Sequence, residues 1–225
     1  MTFLKPKIVI SKCLTFSECR YDGQIIHNQY IENLKKFVDF QTICPEVEIG
    51  MGTPRNPIRI IEDNESLKLI QSETKLDWAK KMNSFSNKYI SQISKIDGFI
   101  LKAASPSCGI NSAKVFSPKS PAPIRKGAGL FASNIIKQFP DHPKEEEKRL
   151  NNPFLREHFF TSIFTIADFR FVKNMNTLYK YHAKHKYLFM AYNQTLMRKM
   201  GKVAANENNQ SLKNVLNNYF KLILL

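Results

Sequence analysis

The sequence lacks long apolar runs and is poor in acidic residues. No stretch approaches the roughly 20 apolar residues that a membrane-spanning helix needs, and residues 1–6 reach a lysine and a proline before a signal-peptide core forms. We therefore expect a cytoplasmic chain with no membrane partner. The 19 Asp and Glu are outnumbered by 34 Lys and Arg, giving a net charge of +15 that favours a polyanionic partner, RNA or DNA before an anionic membrane surface.

Cysteine is also scarce, which argues against a disulfide scaffold. Four cysteines in 225 residues, outside a secreted context, indicate metal binding, catalysis or plain burial. The eight glycines and eleven prolines are ordinary numbers, so extended disorder is not expected. An apolar content of 43% supports a sizeable core in one large domain or two small ones.

Strand and helix patterns alternate over the first 150 residues. Short β-rich runs end at turn signals, and the segments between them repeat apolar residues every three or four positions. This alternation predicts an α/β fold, a Rossmann-like domain with a mostly parallel sheet. The predicted strands cover 7–13, 42–44 and 99–103, with a hairpin over 58–70; the predicted helices cover 28–40, 77–96 and a segment from Gly127 to near Pro140.

A charge run bounded by prolines, residues 140–150, predicts the boundary between two domains, 1–150 and 151–225. The second is predicted to be a small all-α domain, and no element is predicted for the Asn-rich segment 211–225. The second domain, 151–225, carries 11 Lys and Arg against 3 Asp and Glu. Its net positive charge per residue is about twice that of the first domain, so we expect the polyanion contact there. Its predicted helices cover 152–171, 177–190 and 193–205.

Three apolar runs each deliver a cysteine to the loop that follows, at Cys13, Cys44 and Cys108. Loops after the strands of an α/β sheet gather on the side where ligands bind, so we expect the three sulfurs to meet. Three thiolates with an open fourth position suit a catalytic metal or cluster, while buried structural thiols are the alternative. Cys19 is a candidate fourth ligand, although an incidental thiol is the favoured interpretation.

Four ordered motifs carry a resemblance to a known family. They are Lys12-Cys13-Leu14 with Cys19-Arg20-Tyr21-Asp22-Gly23, Cys44-Pro45-Glu46-Val47 with Gly50 to Arg55, Ser105-Pro106-Ser107-Cys108-Gly109, and Gly127-Ala128-Gly129-Leu130-Phe131-Ala132. Residues 5–150 thereby resemble the DUF523 domain associated with thiouracil and thiouridine desulfidases. The segment His182 to Ala191 is similar to the YbgA-like DUF1722 helical domain, which we expect to be shortened, since the residues after about Asn206 do not resemble it.

The resemblance implies a cofactor and a reaction. Such enzymes hold a [4Fe-4S] cluster by three cysteines and leave one iron open, and by motif those cysteines are Cys13, Cys44 and Cys108. The open iron takes the sulfur of a thiocarbonyl, water replaces it at carbon, and sulfide leaves without net redox change. Sulfur is a soft ligand and iron–sulfur clusters are thiophilic, so this chemistry is consistent.

The same resemblance, with the placement of the residues, assigns catalytic roles to Glu46 and Ser105. Glu46 is predicted to be the acid or base that acts on water or on the leaving sulfur, and Ser105 to hydrogen-bond the substrate. The alternatives are a loop carboxylate bonded to backbone amides and a serine that caps a turn, with Ser107 a weaker candidate. Substrate binding is predicted for Arg20, Tyr21, Asp22 and Arg55. The alternative is that their charged groups form ion pairs that hold the loops.

A second group lies on one predicted helix face of the all-α domain. His182, His185 and Lys186 are three and four positions apart and are predicted to contact RNA, with Tyr181 and Tyr187 as stacking groups. Metal binding by the two histidines lacks a nearby carboxylate in the sequence. A solvated helix face is the alternative.

The resemblance thus implies an enzyme, a non-redox thiopyrimidine desulfidase acting on 4-thiouracil or 4-thiouridine. The basic second domain favours a substrate within tRNA over the free base, and no obligate protein partner is predicted. The competing hypothesis is a non-catalytic metal- or RNA-binding module, in which Cys19 completes a structural cysteine site.

Overall fold

The computed structural model describes residues 4–64 and 66–223, which form two four-stranded sheets and a set of C-terminal helices. The strands are β1 (Lys7–Ser11), β2 (Asp39–Ile43), β3 (Ile58–Asp63), β4 (Ser66–Gln71), β5 (Gly98–Leu101), β6 (Ala113–Phe116), β7 (Pro123–Gly127) and β8 (Lys144–Glu146). The helices are α1 (Gln29–Leu34), α2 (Pro45–Glu48), α3 (Ala79–Gln92), α4 (Leu130–Gln138), α5 (Pro153–Phe169), α6 (Met175–Tyr192), α7 (Gln194–Ala205) and α8 (Leu212–Ile223).

The first sheet is parallel throughout, with the strand order β2-β1-β5-β8. Ile8, Val9 and Ile10 of the inner strand β1 are inaccessible to solvent, as expected for a parallel sheet covered on both faces. The predicted α/β fold with a mostly parallel sheet is confirmed. Because the strands all run in one direction, the loops after β1, β2 and β5 leave from the same edge.

The second sheet is mixed, with the order β4-β3-β6-β7. The predicted hairpin is its antiparallel β3–β4 pair, in which Asp63 lies opposite Ser66; Glu65, within the predicted connection, lies outside the described residues. The strands β6 and β7 were not predicted. β6 has only four residues and β7 is largely exposed, so neither shows the hydrophobic pattern that indicates a strand.

The charge run that was predicted as a domain boundary contains the last strand of the parallel sheet. β8 pairs with β5, and Leu101 lies opposite Glu146. Both Glu146 and Glu147 are buried, which carboxylates tolerate only when they have hydrogen-bond partners. The sheet therefore extends into this run, and the division of the chain at residue 150 stays a prediction.

Helix α1 is shorter than the predicted helix over 28–40. Asn28 caps it, since its Oδ1 accepts hydrogen bonds from the N–H groups of Tyr30 and Ile31. The segment then enters β2, where Phe40 lies opposite Ile8 of β1. Strand pairing with β1 overrides the helical spacing of this segment, because tertiary hydrogen bonds and burial outweigh a weak local preference.

In the C-terminal region, two predicted helix starts are confirmed, and a helix lies in a segment for which no element was predicted. Asn152 caps α5 by accepting from the N–H groups of Phe154 and Leu155, and Asn193 likewise precedes α7. The segment 211–225, for which no element was predicted, forms the amphipathic helix α8; Leu224 and Leu225 lie outside the described residues. The Asn-rich composition obscured a stripe of buried residues at four-residue spacing, Val215, Tyr219 and Ile223.

Helix α5 packs against both parts of the chain. Phe159 and Ile163 lie in one hydrophobic cluster with Ile8 and Ile10 of the parallel sheet. Ile166, one turn further on, belongs to the cluster formed by the C-terminal helices. No helix among the described residues is long and apolar enough to cross a membrane.

Candidate active site

The loops after β1, β2 and β5 bring Cys13, Cys44 and Cys108 to a single cavity of about 370 Å³. All three cysteines are buried. The sulfur-bearing corners thus converge as expected, while their role as metal ligands stays a prediction. Five other predicted site residues line the same cavity: Arg20, Tyr21, Glu46, Arg55 and Ser105.

The Cys44 corner is formed by the change from strand to helix. Cys44 precedes the short helix α2, and Pro45 occupies its first position, where the missing proline N–H is not needed. The N–H of Lys12 donates to the carbonyl of Ile43 at 2.7 Å, which holds this corner beside the Cys13 corner. Glu46 follows in the first turn of α2 and therefore lies next to the thiol.

The Cys108 loop is held by the side chain of Ser105. Its Oγ accepts hydrogen bonds from the N–H groups of Ser107 at 3.2 Å and Cys108 at 3.0 Å. The start of α4 packs on the same loop at Gly129, where an added Cβ would lie 2.5 Å from the carbonyl carbon and oxygen of Ser107. Glycine is therefore required here by the close approach of two backbones.

Two buried carboxylates from the charge run support the same loop, and sequence reasoning missed both. Glu146 Oε1 accepts from the N–H of Ile110 at 2.6 Å and from the hydroxyl of Ser112 at 2.7 Å. Glu147 Oε1 pairs with Lys102 Nζ at 2.8 Å, and its Oε2 accepts from the N–H of Ala103. The only sequence signal for them was the charge run itself, which is more typical of a solvated segment.

Glu46 lies between Arg55 and Ser105. The Nη2 and Nε atoms of Arg55 both donate to Glu46 Oε2, at 2.6 and 2.9 Å. The other oxygen, Oε1, is 3.5 Å from Ser105 Oγ, at the long end of hydrogen bonding. One carboxylate oxygen is thus held by the guanidinium, and the other faces the serine.

Arg20 and Tyr21 form another wall of the cavity, whereas Asp22, also predicted to bind substrate, is not among the residues that line it. Arg20 pairs with Asp22 at 3.1 Å and stacks over the ring of Tyr21, which is exposed. Cys19, just before Arg20, is buried and lines the same cavity. Cys44 Sγ approaches the Cys19 carbonyl at 3.6 Å, so this segment lies directly beside the Cys44 corner.

Burial and neighbouring sulfur raise the pKa values of three thiols. Hydrogen bonding with Cys19, followed by burial, raises the pKa of Cys44, and burial raises the pKa of Cys108. Hydrogen bonding with Cys13 is the largest cause that raises the pKa of Cys19 to about 11. These raised pKa values favour the protonated thiols near neutral pH.

The donor set fits an iron–sulfur cluster. Thiolates are the ligands that such clusters use, and three buried ones face one cavity from separate corners. Across residues 4–64 and 66–223, no three His, Cys, Asp or Glu side chains are placed to hold a single metal ion. A cluster makes a different demand, because its thiolates bind different iron atoms.

A second cavity of about 570 Å³ adjoins the first, and Arg20 and Lys102 line both. Its walls add His27, Tyr30 and Lys148. Its charged side chains are therefore mainly cationic, because Arg20, Lys102 and Lys148 accompany a single carboxylate. That carboxylate, Glu147, is paired with Lys102.

The histidines of α6 face inward. His182 Nδ1 lies 2.8 Å from the Tyr219 hydroxyl, and His185 Nε2 lies 2.7 Å from Asp168 Oδ2. Asp168, on the preceding helix, is the carboxylate neighbour that the sequence did not reveal. Tyr181 is buried and unavailable for stacking, whereas Tyr187 is 68% exposed beside Lys186. RNA binding by His182, His185 and Lys186 stays a prediction.

Two family models match the chain. The model described as 2-thiouracil desulfurase matches residues 8–147, and the model of a protein family of unknown function, DUF1722, matches residues 186–224. The family resemblance seen in the motifs is thereby confirmed. The second match extends past Asn206, so the expectation that the closing residues do not resemble that family is wrong.

A curated relative and a solved structure are also similar to the chain. The uncharacterized protein YbbK of Bacillus subtilis (strain 168) is 34% identical over 146 residues, which cover 58% of this chain and 89% of that protein. A solved [4Fe-4S]-dependent thiouracil desulfidase, TudS, is 25% identical with a TM-score of 0.51, and the match covers 70% of this chain and 99% of the other. The [4Fe-4S] cluster named for that protein is a cofactor that the set of three cysteines in this chain fits.

Proposed function

This chain belongs to the 2-thiouracil desulfurase family, and from that premise we propose that it removes sulfur from a thiolated pyrimidine with a [4Fe-4S] cluster bound by Cys13, Cys44 and Cys108. The solved desulfidase supports the cluster and the class of reaction. One observation carries the proposal for this chain: Glu46 and Ser105 line the same cavity as the three cysteines. A proton-transfer group and a hydroxyl thus lie beside the sulfur donors.

The reaction exchanges a C=S bond for a C=O bond without electron transfer. Water supplies the oxygen that bonds to the ring carbon, the carbon–sulfur bond breaks, and sulfur leaves with the two protons of that water as hydrogen sulfide. A cluster held by Cys13, Cys44 and Cys108 would supply an open iron with affinity for soft thiocarbonyl sulfur. The protein must therefore bind the ring, move protons and orient water.

Glu46 Oε1 is the oxygen assigned to proton transfer, because Arg55 holds Oε2. It accepts a proton from the attacking water and later passes it toward the leaving sulfur. Ser105 Oγ already accepts two backbone N–H groups, so its own hydrogen remains to be donated to Glu46 or to the oxygen that forms at carbon.

The finer substrate proposal is 4-thiouridine, free or within tRNA, in place of the base 4-thiouracil alone. The second cavity supports it, since it adjoins the first through Arg20 and Lys102 and offers room for a ribose. The helical region supports contact with tRNA, because Lys180 and Tyr187 are exposed on α6 in a domain with eleven basic and three acidic residues.

The decisive experiment is anaerobic purification with iron and sulfide analysis, followed by incubation with 4-thiouracil, 4-thiouridine and thiolated tRNA. We expect about four irons per chain and sulfide release that requires both the cluster and Glu46. The Glu46→Gln variant should keep its iron and retain only a small residual rate of sulfide release. Full iron with no release from any of the three substrates would refute the desulfidase proposal. Turnover of 4-thiouracil alone would refute the finer one.

A non-catalytic module with a structural cysteine site is the second candidate. Cys19 favours it, because this fourth thiol lines the same cavity as the other three. A structural site uses four ligands, whereas an enzyme leaves one position open. This alternative would be favoured over the enzyme if Cys19→Ala lost its iron or zinc while Glu46→Gln changed neither the metal content nor the sulfide release.

A further inference from the structure

The guanidinium of Arg55 makes its closest contacts within the protein. Its side chain is only 4% exposed, and that of its partner Glu46 is 11% exposed. Both Nε and Nη2 donate to Glu46 Oε2, while Nη1 donates to the carbonyls of Cys19 at 3.1 Å and Gly52 at 2.9 Å. This residue was predicted from its motif to contact substrate, and these bonds give it a different task.

We propose that Arg55 is a positioning residue that fixes the Glu46 carboxylate in one orientation for desulfidation, an inference that rests on the proposed function. Because both guanidinium bonds end on Oε2, rotation of the carboxylate would break them. Oε1 is thereby kept on the side of Ser105. A proton-transfer group must be held close to its productive geometry, and a planar fork with two donors does this better than a single ammonium.

Arg55 also joins the two segments that carry Cys19 and Cys44. Its backbone N–H donates to the carbonyl of Tyr21 at 2.8 Å, and its side chain donates to the carbonyl of Cys19 in the same loop. Glu46 belongs to the Cys44 corner. The Arg55 side chain therefore links the loop after β1 to the helix after β2. It holds both the Glu46 carboxylate and the Cys19 segment of the cavity wall.

The exposed pair of Arg125 and Glu62 provides a matched control. Arg125 Nε and Nη2 contact that carboxylate at 3.0 and 2.6 Å, nearly the same distances, but the pair lies on the second sheet with side chains 44% and 29% exposed. Arg125→Lys removes a two-bond guanidinium contact outside the cavity, in which the two bonds end on different oxygens of Glu62. It should leave turnover unchanged.

The test is a double-variant cycle of Arg55→Lys and Glu46→Gln on anaerobically loaded protein. Lysine keeps the buried positive charge, so the variant avoids an unpaired Glu46. We expect Arg55→Lys to lower kcat by about 10- to 100-fold, with KM changed less than about threefold and iron content unchanged. In the Glu46→Gln background the same change should cause no further loss, because Arg55 acts through Glu46.

Calorimetric titration with uridine, the oxygen product of 4-thiouridine, gives a readout that is independent of turnover. Positioning predicts unchanged affinity in Arg55→Lys, whereas a direct substrate contact predicts weaker binding, a higher KM and additive losses in the cycle. Those results would overturn the inference. If the wild-type protein binds iron but releases no sulfide, the proposed function is refuted instead. If the wild-type protein is active and Arg55→Lys is equally active, only the positioning role is refuted.

Discussion

Glu146 accepts a hydrogen bond of 2.6 Å from the backbone N–H of Ile110, across 36 positions of sequence. The same carboxylate oxygen accepts from the Ser112 hydroxyl, so the edge strand β8 holds the loop that carries Cys108. A buried carboxylate that satisfies several donors is costly to remove, because each donor is then left without a partner.

We predict that Glu146→Ala lowers the free energy of unfolding by about 2–4 kcal/mol and reduces the iron bound after reconstitution. Glu146→Gln, which keeps an acceptor oxygen, should lose less than half of that. Glu145→Ala is the neighbouring control, since its pair with Arg149 is near the surface and worth less than about 1 kcal/mol. Urea unfolding and iron analysis measure the two effects, and equal losses in Glu145→Ala and Glu146→Ala would contradict the support role.

Gly129 and Gly201 should respond to alanine with opposite signs. At Gly129 the new Cβ would collide with the Ser107 carbonyl, so we expect a loss of more than about 2 kcal/mol and a displaced Cys108 loop. Gly201 lies inside α7, and its Cβ would meet the His182 ring at 3.6 Å, an ordinary contact. There we expect a gain of about 0.5–1 kcal/mol.

Thermal and urea unfolding of the two glycine variants, with iron content in parallel, check this pair. The packing argument fails if Gly129→Ala is as stable as the parent. The helix argument fails if Gly201→Ala is less stable.

His142 should make the fold sensitive to acid. Burial lowers its pKa to about 4, and its ring packs between Phe139 and Phe220 of α8. As the pH falls through the unfolded pKa of about 6.5, the unfolded chain binds a proton that the folded chain does not bind until about pH 4, so stability falls in that window. At pH 5 the loss from this group is about 2 kcal/mol.

The variant His142→Phe keeps the ring contacts and removes the titration. We expect the difference in unfolding free energy between pH 7 and pH 5 to be smaller in this variant than in the parent. The exposed His27→Gln should retain the parent's pH dependence. An identical pH dependence in His142→Phe and the parent would show that another group is responsible.

Tyr219→Phe tests the inward orientation of His182. The variant removes a buried hydroxyl 2.8 Å from His182 Nδ1, and we expect it to cost about 1–2 kcal/mol. Iron binding should be unchanged, since the two residues lie on α6 and α8 and neither lines the cavity that holds the cysteines. Tyr179→Phe, at an exposed position, is the control and should be neutral. A neutral Tyr219→Phe would indicate that His182 does not depend on this bond.

The sequence by itself determined the features that depend on short segments. Apolar runs that end at turn residues located β1, β2 and β5, and with them Cys13, Cys44 and Cys108. The parallel arrangement then follows from strand–helix alternation, because parallel strands need crossover connections. The helix starts at Asn152 and Asn193 were also predictable, since a side chain that caps a helix bonds to N–H groups only two or three residues away.

Only the tertiary structure decided which distant groups became partners. Glu46 and Arg55, Glu146 and Ile110, and His185 and Asp168 are joined by packing that no local pattern specifies. A charged residue has the same local signature whether it is solvated or buried, and burial with partners is settled when sheets and loops close over it. For the same reason the charge run became β8, because the open edge of β5 offered backbone hydrogen bonds that the sequence could not reveal.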